Sequence, residues 1–352
     1  MIFKNNTESQ ETEKVKNKKN IFKETDENGE LPENSARRYF SVLGFAILVS
    51  FIIKDLLYYA IVELISRLAP ELLSNYFVAF LISSIPLYGV AFPLCALFLR
   101  KLPRAMPLKN NIKAHHWLGG MCIAFTFMIA GNYISQIIVS IFSVIRGEAL
   151  TNPLTDFTQS TPPVFVMLAA VIIAPIAEEL FFRKLLCDKL LPLGEGYAIF
   201  VSSAIFALAH GNFFQIFYAF TLGCFFAYVY INTGKLKHTI LYHTIINLLG
   251  TIVSTWILSR LDLEAMMSGE ISIRMIVDNL IPILALLAYE FVVLGSAFVG
   301  MILLFLNLKK IRIRGGLISP AKDSRISCVF MNFGIASLIL YFALTLVMSL
   351  FI

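Results

Sequence analysis

Apolar stretches as long as a bilayer is thick dominate this chain of 352 residues. We place nine of them, to within a few residues, at 39–66, 77–99, 116–145, 164–191, 197–212, 213–231, 239–258, 276–307 and 327–351. A helix needs about 20 apolar residues to cross the hydrocarbon core, and these runs lack the alternation of a transmembrane barrel. Only 15% of residues are charged, against about 25% in soluble domains. We therefore predict an all-α, polytopic transmembrane helical bundle with about eight or nine spans.

The stretch 197–231 leaves two arrangements open. It reads either as two short helices broken at Gly211 and Asn212, or as one span followed by a re-entrant piece. No internal repeat is evident along the chain, so the sequence gives no support to an inverted-repeat transporter.

Residues 1–36 differ from the rest of the chain. They are rich in Lys, Glu, Asn and Thr and nearly free of aromatic residues, and such segments cannot bury enough apolar surface to fold. No apolar h-region follows the first basic residues, which argues against a signal peptide. We expect a disordered cytosolic N-terminal arm over 1–36 and the transmembrane bundle over 37–352.

Basic residues lie beside the apolar runs, which explains the net charge of +6 by contact with the lipid bilayer rather than with nucleic acid. If the N-terminus is cytoplasmic, nine spans leave only Arg67, Arg146, Arg260 and Arg274 in the outer loops. This asymmetry predicts a multi-pass protein of a plasma membrane with a cytoplasmic N-terminus. The bias towards Asn, Lys and Ile favours a bacterial membrane.

The segment APIAEELFFRKLL, residues 174–186, carries charge inside an apolar run. A charged side chain at the bilayer centre costs about 2.5–3.5 kcal/mol on insertion scales, so it normally faces the bundle interior and pairs. Glu179 and Arg183 are four positions apart and can pair on one helix face. Glu178 is turned about 100° away, which leaves its carboxylate free. A purely structural interpretation, an ion pair plus an interfacial acid, stays open for this segment alone.

Two further apolar segments each carry a polar pair at helical spacing. FALAHGN places Phe206 and His210 on one face, and LYHTIINLLG places His243 and Asn247 on another. Taken singly, each pair is typical of residues that bridge helices in a bundle.

A free carboxylate, two histidines and an amide together are suited to activating water. The carboxylate can act as general base, one histidine can orient the water, and the other histidine and the amide can donate hydrogen bonds to an oxyanion. The same set, Glu178, His210 and His243, can also hold zinc, although the spacing is not HExxH.

Other polar residues in the spans are expected to join helices. Lys54 and Asp55 are adjacent and should point apart, so each should pair elsewhere, while Glu290, Asn132 and Gln136 should make contacts within the bundle. The five cysteines show no CxxC spacing, and we expect neither a disulfide framework nor a thiolate metal site.

The three motifs occur in the order EExxxR, FxxxH and HxxxN, each on its own apolar segment. This order resembles the CPBP/Abi family, the CAAX proteases and bacteriocin-processing proteins that include the type II CAAX prenyl endopeptidases. The resemblance covers about residues 164–250, which would form the catalytic core.

The resemblance implies specific roles for the motif residues. Glu178 would be the general base, His210 would assist it, and His243 and Asn247 would form the oxyanion site. Glu179, Arg183 and Phe206 would shape the site or engage the substrate. The family has been described both as metalloproteases and as metal-free glutamate proteases; no required cofactor is favoured, and a divalent metal such as zinc stays open.

By the same resemblance, the expected activity is that of an intramembrane endopeptidase. Its substrate would be a hydrophobic or lipidated peptide or protein, in CAAX-type processing, in maturation of a peptide pheromone or bacteriocin, or in self-immunity. The alternatives are a non-catalytic immunity or scaffold protein of the same family and, third, a proton-coupled transporter with Glu178 and Glu179 as relay.

Overall fold

Each predicted apolar segment coincides with a helix in the structure, a computed structural model that describes residues 30–261, 276–277 and 279–351. In chain order the apolar helices of ten residues or more are α1 (Glu33–Leu68), α2 (Tyr76–Leu99), α3 (Ala114–Arg146), α4 (Pro163–Leu193), α5 (Glu195–Leu208), α6 (Ile216–Thr233), α7 (Leu236–Leu258), α8 (Leu280–Lys310) and α9 (Phe333–Met348). Shorter helices include Pro153–Ser160 and Ser327–Phe330. All except α5 and α9 are long and apolar enough to cross a bilayer. Among the described residues, β-structure is limited to two isolated bridges. The prediction of an all-α, polytopic bundle is confirmed.

The ambiguous stretch 197–231 forms two helices, α5 and α6. The chain turns between them at Gly211, whose φ of +66° lies in the left-handed region that glycine adopts without strain. The first of the two arrangements left open by the sequence is therefore the one found.

The predicted N-terminal arm falls mainly on residues 1–29, which lie outside the described residues, as does Arg274 of the predicted outer loops. α1 begins at Glu33, so the last four residues of the predicted arm are helical.

Helix α6 lies at the centre of the bundle. In α6 61% of the 18 residues are buried, against 17% in the most apolar 18-residue part of α3 and of α8. One core cluster joins α6 to α1, α2, α4, α5 and α9, and a second joins it to α3, α7 and α8. Small residues allow close approach: a Cβ at Gly131 of α3 would collide with the backbone of Tyr218 in α6.

The connections predicted to be cytoplasmic meet at one end of the bundle. The backbone N–H of Ala105 donates to Asp188 O at 2.9 Å, and that of Leu108 donates to Ile231 O at 2.8 Å. The connection from α8 to α9 joins the same end, where the N–H of Glu195 donates to Arg314 O at 3.1 Å. These connections can meet at one end only if the helices that they join run in alternating directions. The predicted topology has this alternation.

Some polar residues of the spans behave differently from expectation. Lys54 Nζ lies 2.6 Å from Asp55 Oδ1, so the prediction that these neighbours do not pair is wrong: the flexible lysine stem reaches round the helix. Asp55 also accepts a hydrogen bond from Tyr341 of α9. Gln136 and Glu290 are exposed, and within the described part of the chain Glu290 has neither a hydrogen bond nor an ion pair.

Candidate active site

The two adjacent glutamates lie halfway along α4. With a rise of 1.5 Å per residue, Glu178 is roughly 22 Å from either end of the helix. Glu178 ends a short α-helical stretch, Ala174–Glu178, and Glu179 begins a π-helical stretch, Glu179–Cys187. A π-helical turn is wider than an α-helical one and often occurs at functional sites.

Glu179 is fully buried and contacts both Arg183 and His243. Its Oε2 accepts a hydrogen bond from Arg183 Nε at 3.2 Å, which is the i,i+4 pair that the sequence indicates. Its Oε1 lies 3.3 Å from His243 Nδ1. A carboxylate can only accept, so this contact places the Nδ1 proton on His243 and fixes the ring orientation. Sequence spacing did not indicate this second partner.

Arg183 is also fully buried, behind the glutamates. Its guanidinium lies over the rings of Phe206, at 5.0 Å, and Phe226, at 5.9 Å, where cation–π attraction favours it. Its two terminal nitrogens have no hydrogen-bond partner among the described residues. Phe206 also packs edge-on against His210, with ring centroids 4.9 Å apart. The ring of Phe206 therefore lies between the Arg183 guanidinium and the ring of His210.

Glu178 has different surroundings from its neighbour. Its side chain is 15% exposed, and its Oε2 lies 3.8 Å from His243 Nε2. Its Oε1 accepts a hydrogen bond from the hydroxyl of Tyr88 in α2 at 3.3 Å. His243 therefore lies between the two carboxylates, one at each ring nitrogen, rather than beside Glu178 alone.

His210 stands at the end of α5, just before the turn at Gly211. Its Nδ1 lies 2.8 Å from the carbonyl oxygen of Phe206. That oxygen accepts, so Nδ1 carries the proton and Nε2 of the neutral ring keeps its lone pair. The carbonyl of His210 accepts from Asn212 Nδ2 at 2.9 Å, which holds the turn in place.

Asn247 of α7 is anchored to α4. Its Nδ2 donates to the carbonyl oxygen of Ala170 at 2.7 Å, in the π-helical stretch Met167–Ile173. An amide has two N–H donors, so one N–H of Asn247 remains for other partners.

A single cavity of about 160 Å³ brings the candidate catalytic residues together. Its lining includes Glu178, His210, His243 and Asn247, as the sequence predicted, although their individual roles stay predictions. Phe206 also lines it, whereas Glu179 and Arg183 lie behind the lining.

A family model, type II CAAX prenyl endopeptidase Rce1-like, matches residues 160–249, which run from just before α4 into α7 and contain all three motifs. The matched core is therefore similar to the CPBP/Abi family, a family of membrane proteases of the CAAX type.

Three relatives from bacteria resemble parts of the chain. The UPF0177 protein YxdF of Lactococcus lactis is 26% identical over 145 residues, which are 41% of this chain and 79% of the relative. The membrane-embedded CAAX protease MroQ of Staphylococcus aureus is 33% identical over 125 residues, 32% of this chain and 50% of the relative. YdiL of Bacillus subtilis, whose name gives a provisional assignment as a membrane peptidase, is 26% identical over 160 residues, 43% of this chain and 62% of the relative.

The match to MroQ and YdiL thus spans less than two thirds of either protein. No solved structure matches the chain.

The described part of the matched core does not arrange a set of metal ligands. Across the described residues no group of three or more His, Cys, Asp or Glu side chains is placed to hold a metal ion. Glu178, His210 and His243 line the cavity, and the Nδ1 atoms of both histidines face protein oxygens, which leaves Nε2 as the atom that would bind a metal. These three side chains are nonetheless not grouped closely enough to hold a metal ion.

Three polar residues near the CPBP/Abi motifs were missed by the sequence reasoning. Gln215 and Tyr218 line the cavity, and Gln215 Nε2 donates to the Tyr218 hydroxyl at 2.7 Å. Polar residues at 212, 215 and 218 share an i,i+3 spacing, a signal that could have found them. Tyr88 is 90 positions from Glu178, and no local pattern links the two.

Proposed function

We propose that this protein is an intramembrane endopeptidase that hydrolyses a peptide bond in a hydrophobic or lipid-modified peptide or protein. The observation that carries the proposal is the cavity halfway along α4, where Glu178, His210, His243 and Asn247 meet. The similarity to MroQ, a membrane-embedded CAAX protease, supports the same reaction class.

In the proposed reaction Glu178 is the general base. Its carboxylate takes a proton from a water molecule, whose oxygen then adds to the carbonyl carbon of the scissile peptide bond. When the C–N bond breaks, Glu178 returns the proton to the leaving amine. His210 assists, since the Nε2 lone pair of the neutral ring can accept a hydrogen bond from the same water.

His243 and Asn247 stabilise the oxyanion in this proposal. The second amide N–H of Asn247 is free to donate, while the first holds the side chain to Ala170. The Nδ1 proton of His243 faces Glu179, so Nε2 can donate to the oxyanion only when the ring is doubly protonated, and the Glu178 carboxylate lies 3.8 Å from Nε2 without a hydrogen bond to it. Preorganised donors of this kind typically contribute 10²–10³-fold to the rate.

The proposal predicts that Glu178→Gln abolishes cleavage. The amide keeps the size of the side chain but cannot take a proton, so the rate should fall at least about 100-fold. The assay uses the full chain in proteoliposomes with quenched fluorescent peptides, both hydrophobic ones and farnesylated ones ending in a CAAX sequence.

Glu290→Gln is the matched control, because it changes an exposed glutamate of α8 that lies outside the cavity. Cleavage retained in both Glu178→Gln and His210→Ala would overturn the mechanism. Loss of a cellular phenotype with packing variants but not with Glu178→Gln would favour a non-catalytic scaffold.

We propose that no cofactor is required. Elemental analysis of the purified protein, with cleavage measured in chelator, decides this: stoichiometric zinc and loss of cleavage in chelator would establish the metal-dependent alternative. We also propose a bacterial plasma membrane as the location, in keeping with the bacterial sources of the three relatives. Processing of a CAAX protein, a peptide pheromone or a bacteriocin fits the site equally well.

A further inference from the structure

Tyr88 reaches the site from outside the region that matches the family model. It lies in α2, whereas the matched residues begin at 160, just before α4. The residue belongs to a π-helical stretch, Ile85–Ala91, that includes Pro86. Its hydroxyl donates to Glu178 Oε1 at 3.3 Å.

Aromatic packing fixes α2 against α4 next to this contact. The ring of Phe92 stacks on Phe181, with centroids 4.0 Å apart and planes 12° apart. The ring of Tyr88 packs edge-on against the same Phe92 ring, at 5.6 Å. Because Phe181 follows Glu178 by three positions in α4, this stack holds the Tyr88 hydroxyl at a set place relative to the carboxylate.

The two oxygens of Glu178 have different neighbours. Oε1 is held by Tyr88, while Oε2 faces His243 Nε2 across 3.8 Å, beyond hydrogen-bond distance. Within the described parts of the chain, Tyr88 is the one residue that donates a hydrogen bond to Glu178. Tyr88 itself is not among the residues that line the cavity, so its link to the proposed reaction runs through Glu178.

We propose that Tyr88 is a positioning residue for the general base. Its hydroxyl fixes the rotation of the Glu178 carboxylate, so that Oε1 stays bound while Oε2 is presented to the water and to His243. The inference rests on the proposed function, because it assigns Tyr88 a task only if Glu178 takes the proton.

The test is Tyr88→Phe, which removes one oxygen and keeps the ring that packs on Phe92. A hydrogen bond to a charged group is worth enough to expect a fall in kcat of about tenfold or more, with KM unchanged, because Tyr88 is not among the residues that line the cavity. The control is Tyr289→Phe, which removes a hydroxyl that bonds to the backbone oxygen of Leu249 at 3.4 Å and should leave kcat unchanged.

Infrared difference spectroscopy supplies a readout that does not depend on activity. Tyr88→Phe should shift a carboxylate stretching band, and the shift should vanish when the same substitution is made in a Glu178→Gln background. A variant with unchanged kcat, or a band shift that survives in the Glu178→Gln background, would overturn the inference. If Glu178→Gln itself retains cleavage, the proposed function fails; if it abolishes cleavage while Tyr88→Phe is neutral, only the positioning role fails.

Discussion

Glu178 and Glu179 are adjacent in the chain, but their side chains have different surroundings. Glu179 is fully buried and balanced by Arg183, whereas Glu178 lines the cavity and, among the described residues, makes its one ion-pair contact with the ring of His243, which is charged only if protonated. The 100° between successive helical residues makes this separation predictable from sequence. The position of His243 between the two is not predictable, since it depends on how α7 packs against α4.

The buried pair leads to a prediction that separates stability from activity. Glu179→Leu leaves the Arg183 guanidinium buried without its partner and should lower the free energy of unfolding by about 3–5 kcal/mol. Adding Arg183→Met should restore most of that loss, because an apolar pair of similar volume replaces the ion pair. Unfolding of the detergent-solubilised protein measures both effects.

Cleavage by the double variant should nonetheless stay low. His243 loses the acceptor at Nδ1 that sets its orientation, and this loss is not repaired by the apolar pair. A double variant that regains full cleavage along with stability would show that Glu179 has no part in holding His243.

At the scale of helices, π-helical stretches place several site residues. They occur in α2, in two parts of α4 and in α7, at Ile85–Ala91, Met167–Ile173, Glu179–Cys187 and Leu248–Val253. The apolar pattern predicts the helices, and it offers the break at Gly211 as one of two arrangements. It does not predict the widened turns, because these depend on packing between helices rather than on local propensity. Tyr88 and Ala170, which anchors Asn247, both lie in such stretches. Each meets its partner from a distant part of the chain, 90 and 77 positions away, and spacing within one helix cannot indicate such contacts.

Small residues at the contacts between helices set how closely the helices approach. Gly131 of α3 is such a residue, and its effect can be tested. A Cβ there would collide with the backbone of Tyr218, a residue of the cavity lining. Gly131→Ala should therefore destabilise the protein by about 1–3 kcal/mol, as overpacking does, and should lower cleavage by displacing α6. Thermal unfolding and the peptide assay measure the two effects.

Gly295 of α8 offers the matched comparison, since a Cβ there would meet no atom within 4 Å. Gly295→Ala should be neutral or stabilise the helix by up to about 1 kcal/mol. Equal effects of the two alanine substitutions would contradict the role given to the contact between α3 and α6.

At the scale of the whole molecule, the end where the predicted inner connections meet should face the cytoplasm. A cysteine placed at exposed Lys109, between α2 and α3, should resist an impermeant thiol reagent in intact cells, and one at exposed Ala149, beyond α3, should react. The five native cysteines are buried or half-buried, so they should add little background. The reverse labelling pattern would show that the opposite end of the bundle faces the cytoplasm.

The size of the cavity has a consequence for how a protease of this kind would choose its substrate. An α-helix is about 10–12 Å across with its side chains, and pockets that enclose a drug-sized ligand usually measure about 300–1,000 Å³. The cavity, at about 160 Å³, is smaller than such pockets and narrower than a whole helix requires. Under the proposed function, the lipid stays among the bilayer chains and the scissile bond arrives in an extended strand. Selection would then depend on how readily a substrate unwinds there, so that local helix stability matters as much as the sequence around the bond.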